Sequence, residues 1–229
     1  MELKGIAIKM KVLRGIKNKI LYLCLFVILF VIIQIPTISE DFFRGESSKN
    51  INLVLHVAIS FFSTIIIFLI VDTIYHRLNP KPMFLKNSMI RNYSFAAIFA
   101  LFSQALQFII TLLEKGNDQD LELFAVSRSR LAPLLIITLV VISPFLEVVL
   151  WQGILQGGIL KDLSPSFSII ITSVLFAFAH GYSFNYCTLE LLCSGIAYSF
   201  LYYVTDDLGS VVFCHGLSNF IVYLINFVF

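Results

Sequence analysis

Long apolar runs decide what this chain can become. Residues 20–38, 53–75 and 92–113 are almost free of charge, and each is long enough to cross a hydrocarbon core of about 30 Å as a helix. Backbone groups in such a core must be satisfied within the segment, as they are in a helix. Composition agrees: 59% of the 229 residues are hydrophobic, 13% are charged, and mean hydropathy is +0.92. A soluble domain carries about a quarter charged residues. The expected fold is all-α, a polytopic membrane helix bundle of about seven transmembrane segments, some kinked or broken.

Charge sets the expected orientation. Residues 1–19 carry Lys4, Lys9, Lys11, Arg14, Lys17 and Lys19 against Glu2 alone. The run that follows is too long for a signal-peptide core and lacks a small-residue cleavage site, so it reads as an uncleaved span. Residues 76–91 bring His76, Arg77, Lys81, Lys86 and Arg91 with no acid. The positive-inside rule places both segments in the cytoplasm, and the 39–50 and 114–130 loops outside. The basic N-terminus acts as an orientation signal that also meets anionic membrane lipid. No basic stripe with interleaved aromatics appears, so nucleic acid is not an expected partner. The four cysteines, Cys24, Cys187, Cys193 and Cys214, lie in apolar surroundings without metal-type pairing and read as small buried hydrophobes.

The chain divides into a cytoplasmic basic N-terminus (1–19), three N-terminal spans with their loops (20–130) and a polar-punctuated helical core (131–229). In that core residues 131–160 hold Pro133, Pro144, Gly153, Gly157 and Gly158, a density that suggests broken helices around a cavity. Three further segments follow over 165–182, 187–204 and 208–229.

Glu147 stands out there. It is a lone carboxylate preceded by Ser143 and Pro144, with nothing basic within a helical turn. A charge in hydrocarbon is costly and usually faces a bundle interior or a wet cavity. Two later segments offer partners. Phe176 and His180 share a helix face at four-residue spacing, as do His215 and Asn219. His56, with Ser60 one turn on, reads as a core histidine, and His76 as a solvated one. Asp72 and Glu190 read as interfacial, with Glu190 the better candidate for an extra group at the site.

Each polar residue alone can be a structural hydrogen-bonding group between helices. Together they make a reactive set. A carboxylate beside an imidazole can position and deprotonate a water. An imidazole with a carboxamide can hydrogen-bond a developing oxyanion. Glu147, His180 and His215 could alternatively hold a divalent metal such as zinc, since one carboxylate and two histidines are a familiar shell. At about 1.5 Å per residue on alternating spans, Glu147 falls past mid-span toward the cytoplasm, His215 near the cytoplasmic start of its helix, and His180 near the outer end of its own. In that simple arrangement the three do not share a depth.

The ordered motifs resemble those of the CPBP family of intramembrane proteases, which includes the type II CAAX prenyl endopeptidases and the bacterial Abi proteins linked to bacteriocin processing and self-immunity. That family carries Glu-Glu-x-x-x-Arg, then Phe-x-x-x-His, then His-x-x-x-Asn on successive helices. Here the second is Phe176 to His180, the third is His215 to Asn219, and the first aligns at Glu147, with Gly153-Ile154-Leu155 after it. The family's second glutamate is Val148 and its arginine is Gln152. Those positions are spaced as an ion pair on a helix, and replacing both members of a buried pair can be nearly neutral.

The resemblance implies an intramembrane endopeptidase with catalytic residues Glu147, His180, His215 and Asn219, acting on a peptide or membrane-protein substrate, multi-pass in a bacterial plasma membrane. The substituted Val148 and Gln152 suggest a second possibility: a weakened or inactive relative acting as a membrane regulator or self-immunity factor that binds a sensor or exporter. A small transporter is a third, disfavoured by the short chain and the scarcity of acidic relay residues in the spans.

Overall fold

The computed structural model describes residues 19–38, 53–84, 90–113, 132–181 and 185–227. Most of these residues are helical, with no strand among the described residues. In chain order the helices are α1 (Lys19–Ile32), α2 (Ile35–Ile38), α3 (Leu53–Leu78), α4 (Ile90–Leu113), α5 (Ala132–Ile159), α6 (Pro165–His180), α7 (Tyr186–Thr205) and α8 (Leu208–Phe227). Among the described residues, five are long and apolar enough to cross a membrane, and α1 and α6 are shorter apolar helices. Large side chains such as Phe61, Phe62, Ile66 and Leu69 are more than half exposed along α3. In water that would be a liability; against lipid it is the expected surface.

The first span departs from its expected extent. The run 20–38 breaks at Ile33 and Gln34, where Gln34 N–H donates to the Val31 carbonyl at 3.3 Å. Pro36 follows, and it has no N–H to continue the helical ladder. α2 is therefore a separate four-residue turn. The segment expected over 165–182 ends as a helix at His180, because Gly181 turns the backbone to an extended conformation; Tyr182 lies outside the described residues. α7 starts at Asn185, whose side chain accepts from Thr188 N–H at 2.9 Å, satisfying an otherwise orphaned donor. It ends at Asp206, a left-handed residue with φ of 50°.

α5 is the axis of the bundle, and its backbone is not uniform. It is α-helical over Ala132–Ile137, π-helical over Thr138–Ile142, α-helical over Ser143–Val148 and π-helical again over Val149–Ile159. Pro144 explains the first wide turn. It removes one N–H and crowds the turn before it; the chain responds with a Ser143 N–H bond to the Thr138 carbonyl, five residues back. Wide turns free carbonyls, which must find donors in an apolar surrounding. Side chains supply them. Asn219 Nδ2 donates to the Leu139 carbonyl at 2.9 Å, and Asn79 Nδ2 donates to the Gly153 carbonyl at 2.9 Å. Ser168 Oγ donates to the Gln156 carbonyl at 3.4 Å.

The core packs on that axis. Trp151 of α5 meets Phe26 edge-on at 5.1 Å and Phe176 at 5.8 Å, tying α1 and α6 to it. α3 lies along the second π stretch, α8 along the first half of α5, and α4 against α7 and α8. Glycines permit the closest approaches. A Cβ on Gly153 would lie 3.1 Å from the Tyr75 ring, and one on Gly216 would lie 2.5 Å from the Val140 carbonyl oxygen. Small residues at such contacts are the usual means by which membrane helices approach.

The cysteine expectation needs correction. Cys214 is buried and Cys193 half-buried, but Cys24 and Cys187 are exposed. Apolarity within a membrane helix does not imply burial, because the outward face is apolar too. His56 is fully buried beside Ser60, as expected of a core histidine. His76 is half-exposed, with Nδ1 3.1 Å from Asp72.

Candidate active site

Glu147, His180, His215 and Asn219 line one cavity of about 400 Å³ together with Ser143, Phe176 and Tyr198. Four helices contribute: α5 carries Glu147 in its central α-helical turn, α6 carries His180 as its last residue, and α8 carries His215 and Asn219 one turn apart. Tyr198 comes from α7.

The distances focus on one atom. Glu147 Oε2 lies 3.5 Å from His180 Nε2 and 3.9 Å from His215 Nε2. The other carboxylate oxygen, Oε1, accepts a hydrogen bond from Ser143 Oγ one turn earlier. Side-chain exposure is 11% for Glu147 and 6% for His215 but 32% for His180. The acid is thus enclosed, and the imidazole of His180 forms its contact with solvent.

One tautomer follows from the geometry. His180 Nδ1 is 2.8 Å from the Phe176 carbonyl oxygen. A carbonyl only accepts, so Nδ1 carries the hydrogen and Nε2 faces Glu147. In a neutral ring that Nε2 is a lone pair, and a lone pair facing a carboxylate needs a proton or a donor between them. The ring is held by Phe176, whose own ring centroid is 4.6 Å away. That contact is the physical reason for an aromatic four residues before the histidine. His215 is clamped differently, stacked on Tyr198 with centroids 4.5 Å apart and planes at 26°. Its Nε2 faces Glu147, while its Nδ1 is buried with no hydrogen-bond partner.

The depth conflict expected from simple alternation does not keep the three groups apart: they line one cavity. α6 has only 16 residues, about 24 Å at the usual rise. It stops short of a full crossing, so His180 at its end lies within the bundle. On α5, Glu147 sits in the α-helical turn between the two wide stretches, with its Oε2 3.5 Å from His180 Nε2 and 3.9 Å from His215 Nε2. Asn219 reaches the cavity wall, but one of its amide hydrogens is committed to the Leu139 carbonyl. As a donor, it has one amide hydrogen left for a ligand.

Val148 and Gln152 are both 1% exposed. Gln152 Nε2 is directed at Ser199 Oγ, 3.4 Å away, so a neutral amide occupies the arginine-like position. Among the described residues, no group of three or more His, Cys, Asp or Glu is arranged to hold a metal ion. Glu190, expected at an interface, lines the cavity and accepts from Thr111 Oγ1 at 2.7 Å. Asp72 lies outside the cavity, beside His76.

Ser143 and Tyr198 were missed as site residues on sequence grounds. Ser143 had a signal, since it precedes Glu147 by four residues on one helix face. Tyr198 had none, because its role depends on which helix packs beside α8. Gln104 and Gln107 of α4 also line the cavity, and Gln107 Nε2 donates to Ser194 Oγ at 2.5 Å.

Compared with curated proteins and with solved structures, the chain matches none. Residues 129–221, the part that bears the site, match the family model described as Rce1-like, Type II CAAX prenyl endopeptidase Rce1-like. Over that segment, less than half of its length, the chain is similar to the CAAX-type (CPBP) family of intramembrane proteases.

Proposed function

We propose that this protein is an intramembrane endopeptidase in which Glu147 activates water. The observation that carries the reading is the approach of two imidazole nitrogens to one carboxylate oxygen, at 3.5 and 3.9 Å, inside a single cavity. A water oxygen about 2.8 Å from each of these three atoms fits that triangle. Glu147 accepts its proton as the oxygen attacks the scissile carbonyl. His180, fixed as the Nδ1–H tautomer, holds its Nε2 toward the same water and orients it. The tetrahedral oxyanion then accepts hydrogen bonds from His215 Nε2–H and the second amide hydrogen of Asn219. Collapse breaks the C–N bond, the proton held by Glu147 passes to the leaving amine, and a carboxylate and an amine depart.

Only interactions stronger in the transition state than in the ground state accelerate such a step. The oxyanion donors meet that condition because full charge develops beside them late. No step here requires a metal ion. The substrate class is a peptide or membrane-protein segment that can enter a cavity walled by Leu139, Leu191 and Val222 as well as the polar set. The setting is a cell membrane of bacterial type, crossed several times.

The test compares membranes from cells expressing the wild type or Glu147→Gln for newly formed protein N-termini by mass spectrometry. The wild type should generate N-termini that the variant does not, at equal protein level and equal thermal midpoint. Identical sets of N-termini would falsify catalysis by this cluster.

One observation favours a second reading. The positions of the family's second acid and arginine are filled by closely packed neutral side chains, Val148 and Gln152. A regulator or immunity factor that holds a peptide, sensor or exporter in the same cavity needs no charge there. It predicts co-purification with that partner and a cellular function indifferent to Glu147→Gln.

A further inference from the structure

The cavity and the lysines occupy opposite ends of the bundle, and every long helix that lines the cavity agrees on this. α4 begins beside Arg91 and reaches the cavity at Gln104 and Gln107. α5 lines it with Leu139, Ser143 and Glu147 and ends beside Lys161. α6 starts at Pro165 and touches the cavity only at Phe176 and His180, whereas α7 lines it between Cys187 and Tyr198 and ends at Asp206, paired with Lys81. α8 leaves that end at Leu208 and lines the cavity with His215, Asn219 and Val222. Gln34, past the end of α1, completes the rim, while Lys19 at the start of α1 pairs with Asp162 at 2.8 Å.

The charge count follows the same division. Of the 16 Lys and Arg in the chain, Lys19, Arg77, Lys81, Arg91 and Lys161 sit at helix ends there, and six more belong in sequence to the segments 1–18 and 85–89 that adjoin those ends. The other five fall in 39–52 and 114–131, which connect helix ends on the cavity side. Short loops rich in Lys and Arg are retained in the cytoplasm, and acidic residues contribute little to that choice. No lysine or arginine lines the cavity among the described residues.

We infer that the cavity opens to the extracytoplasmic face, so that the polypeptide it takes is one presented outside the cytoplasm: a membrane-proximal segment of an exported or membrane protein. This rests on the peptidase reading for its chemistry but not for its direction. A cytosolic chain terminus would have to cross the bundle to reach Glu147, past the packed layer of Trp151, Leu150 and Ile154.

Cys187 reports the direction directly, because it is exposed and lines the cavity. Intact cells are treated with a membrane-impermeant maleimide, before and after permeabilisation. Modification should occur in intact cells, should not increase on permeabilisation, and should be lost in Cys187→Ser. Lys161→Cys in the Cys187→Ser background should be modified only after permeabilisation. An alkaline phosphatase fused after α8 should be active, a measurement independent of the cysteines. Modification of Cys187 only after permeabilisation, with an inactive phosphatase fusion, overturns the inference. Glu147-dependent cleavage sites should map to extracytoplasmic segments, and sites confined to cytoplasmic termini also overturn it. Modification from outside with no Glu147-dependent cleavage leaves the opening in place and removes the peptidase reading instead.

Discussion

The two ends of the bundle both carry charged side chains, and they use them in opposite ways. At the lysine end a cavity of about 520 Å³ is lined by Lys81, Lys161 and Asp206. Its ion pairs are open: Lys19 and Asp162 keep 57% and 61% side-chain exposure, Lys81 and Asp206 keep 61% and 53%. Such pairs are hydrated and screened, and each contributes about 0–1 kcal/mol. At the other end Glu147 keeps 11% and faces two imidazoles. Enclosing a carboxylate is expensive unless its partners are well placed, and here they are imidazoles rather than a fixed cation. Imidazoles can take and return protons; lysines at this exposure mainly anchor. Beyond the uneven share of Lys and Arg, the ends differ in how their charges are held. Solvation and the proton chemistry of the partners set them apart.

The largest expected effect tests that contrast at its centre. Glu147→Gln keeps shape and removes the proton acceptor, so cleavage should fall by about 10²–10⁴-fold, read from the Glu147-dependent N-termini, with the thermal midpoint in detergent unchanged. An equal fall for Asp206→Asn at the lysine end would break the comparison.

A second change asks how much charge the enclosed end tolerates. Val148→Glu places an unpaired carboxylate at a 1%-exposed position and should destabilise by about 3–5 kcal/mol. Adding Gln152→Arg should recover much of this, seen as a positive coupling in a double-mutant cycle of thermal or denaturant midpoints. No recovery would mean that the two positions do not face each other across the start of the π-helical stretch.

Glycines at the two ends sharpen the comparison at smaller scale. A Cβ on Gly216 meets the Val140 carbonyl oxygen at 2.5 Å, and one on Gly157 meets the Tyr202 hydroxyl at 2.5 Å. The first obstacle is backbone and the second is the tip of a side chain. Gly216→Ala should therefore cost about 1–3 kcal/mol and lower activity by displacing His215, whereas Gly157→Ala should shift the midpoint less and leave cleavage intact. The smallest effect belongs to Lys81→Met: at most about 1 kcal/mol, and none at high salt, where the pair is screened already.

Much of this molecule was legible before folding. Apolar runs marked the helices, because a bilayer accepts little else, and the isolated acid at 147 marked the site, because charge in hydrocarbon needs a reason. Phe176 with His180 and His215 with Asn219 were legible as pairs through four-residue spacing. What stayed hidden has a common cause. Spacing says which residues share a helix face but not which helix lies opposite. Tyr198 as the clamp on His215, and the commitment of Asn219 to the Leu139 carbonyl, depend on neighbours far apart in the chain. The breaks at Ile33 and Gln34 depend on one proline near a span end, where propensity is weakest.

The sequence alone determined a membrane helix bundle, its lysine-rich side, and three polar motifs in order. Tertiary structure decided that the motifs meet. With ideal turns at a uniform rise, Glu147, His180 and His215 would sit at different depths. In the packed bundle the two imidazole Nε2 atoms lie 3.5 and 3.9 Å from Glu147 Oε2, and wide turns flank that acid around Pro144 and through Gly153, Gly157 and Gly158. Those turns persist because Asn79, Ser168 and Asn219 satisfy the carbonyls they free, and such donors can be identified only once the helices are packed.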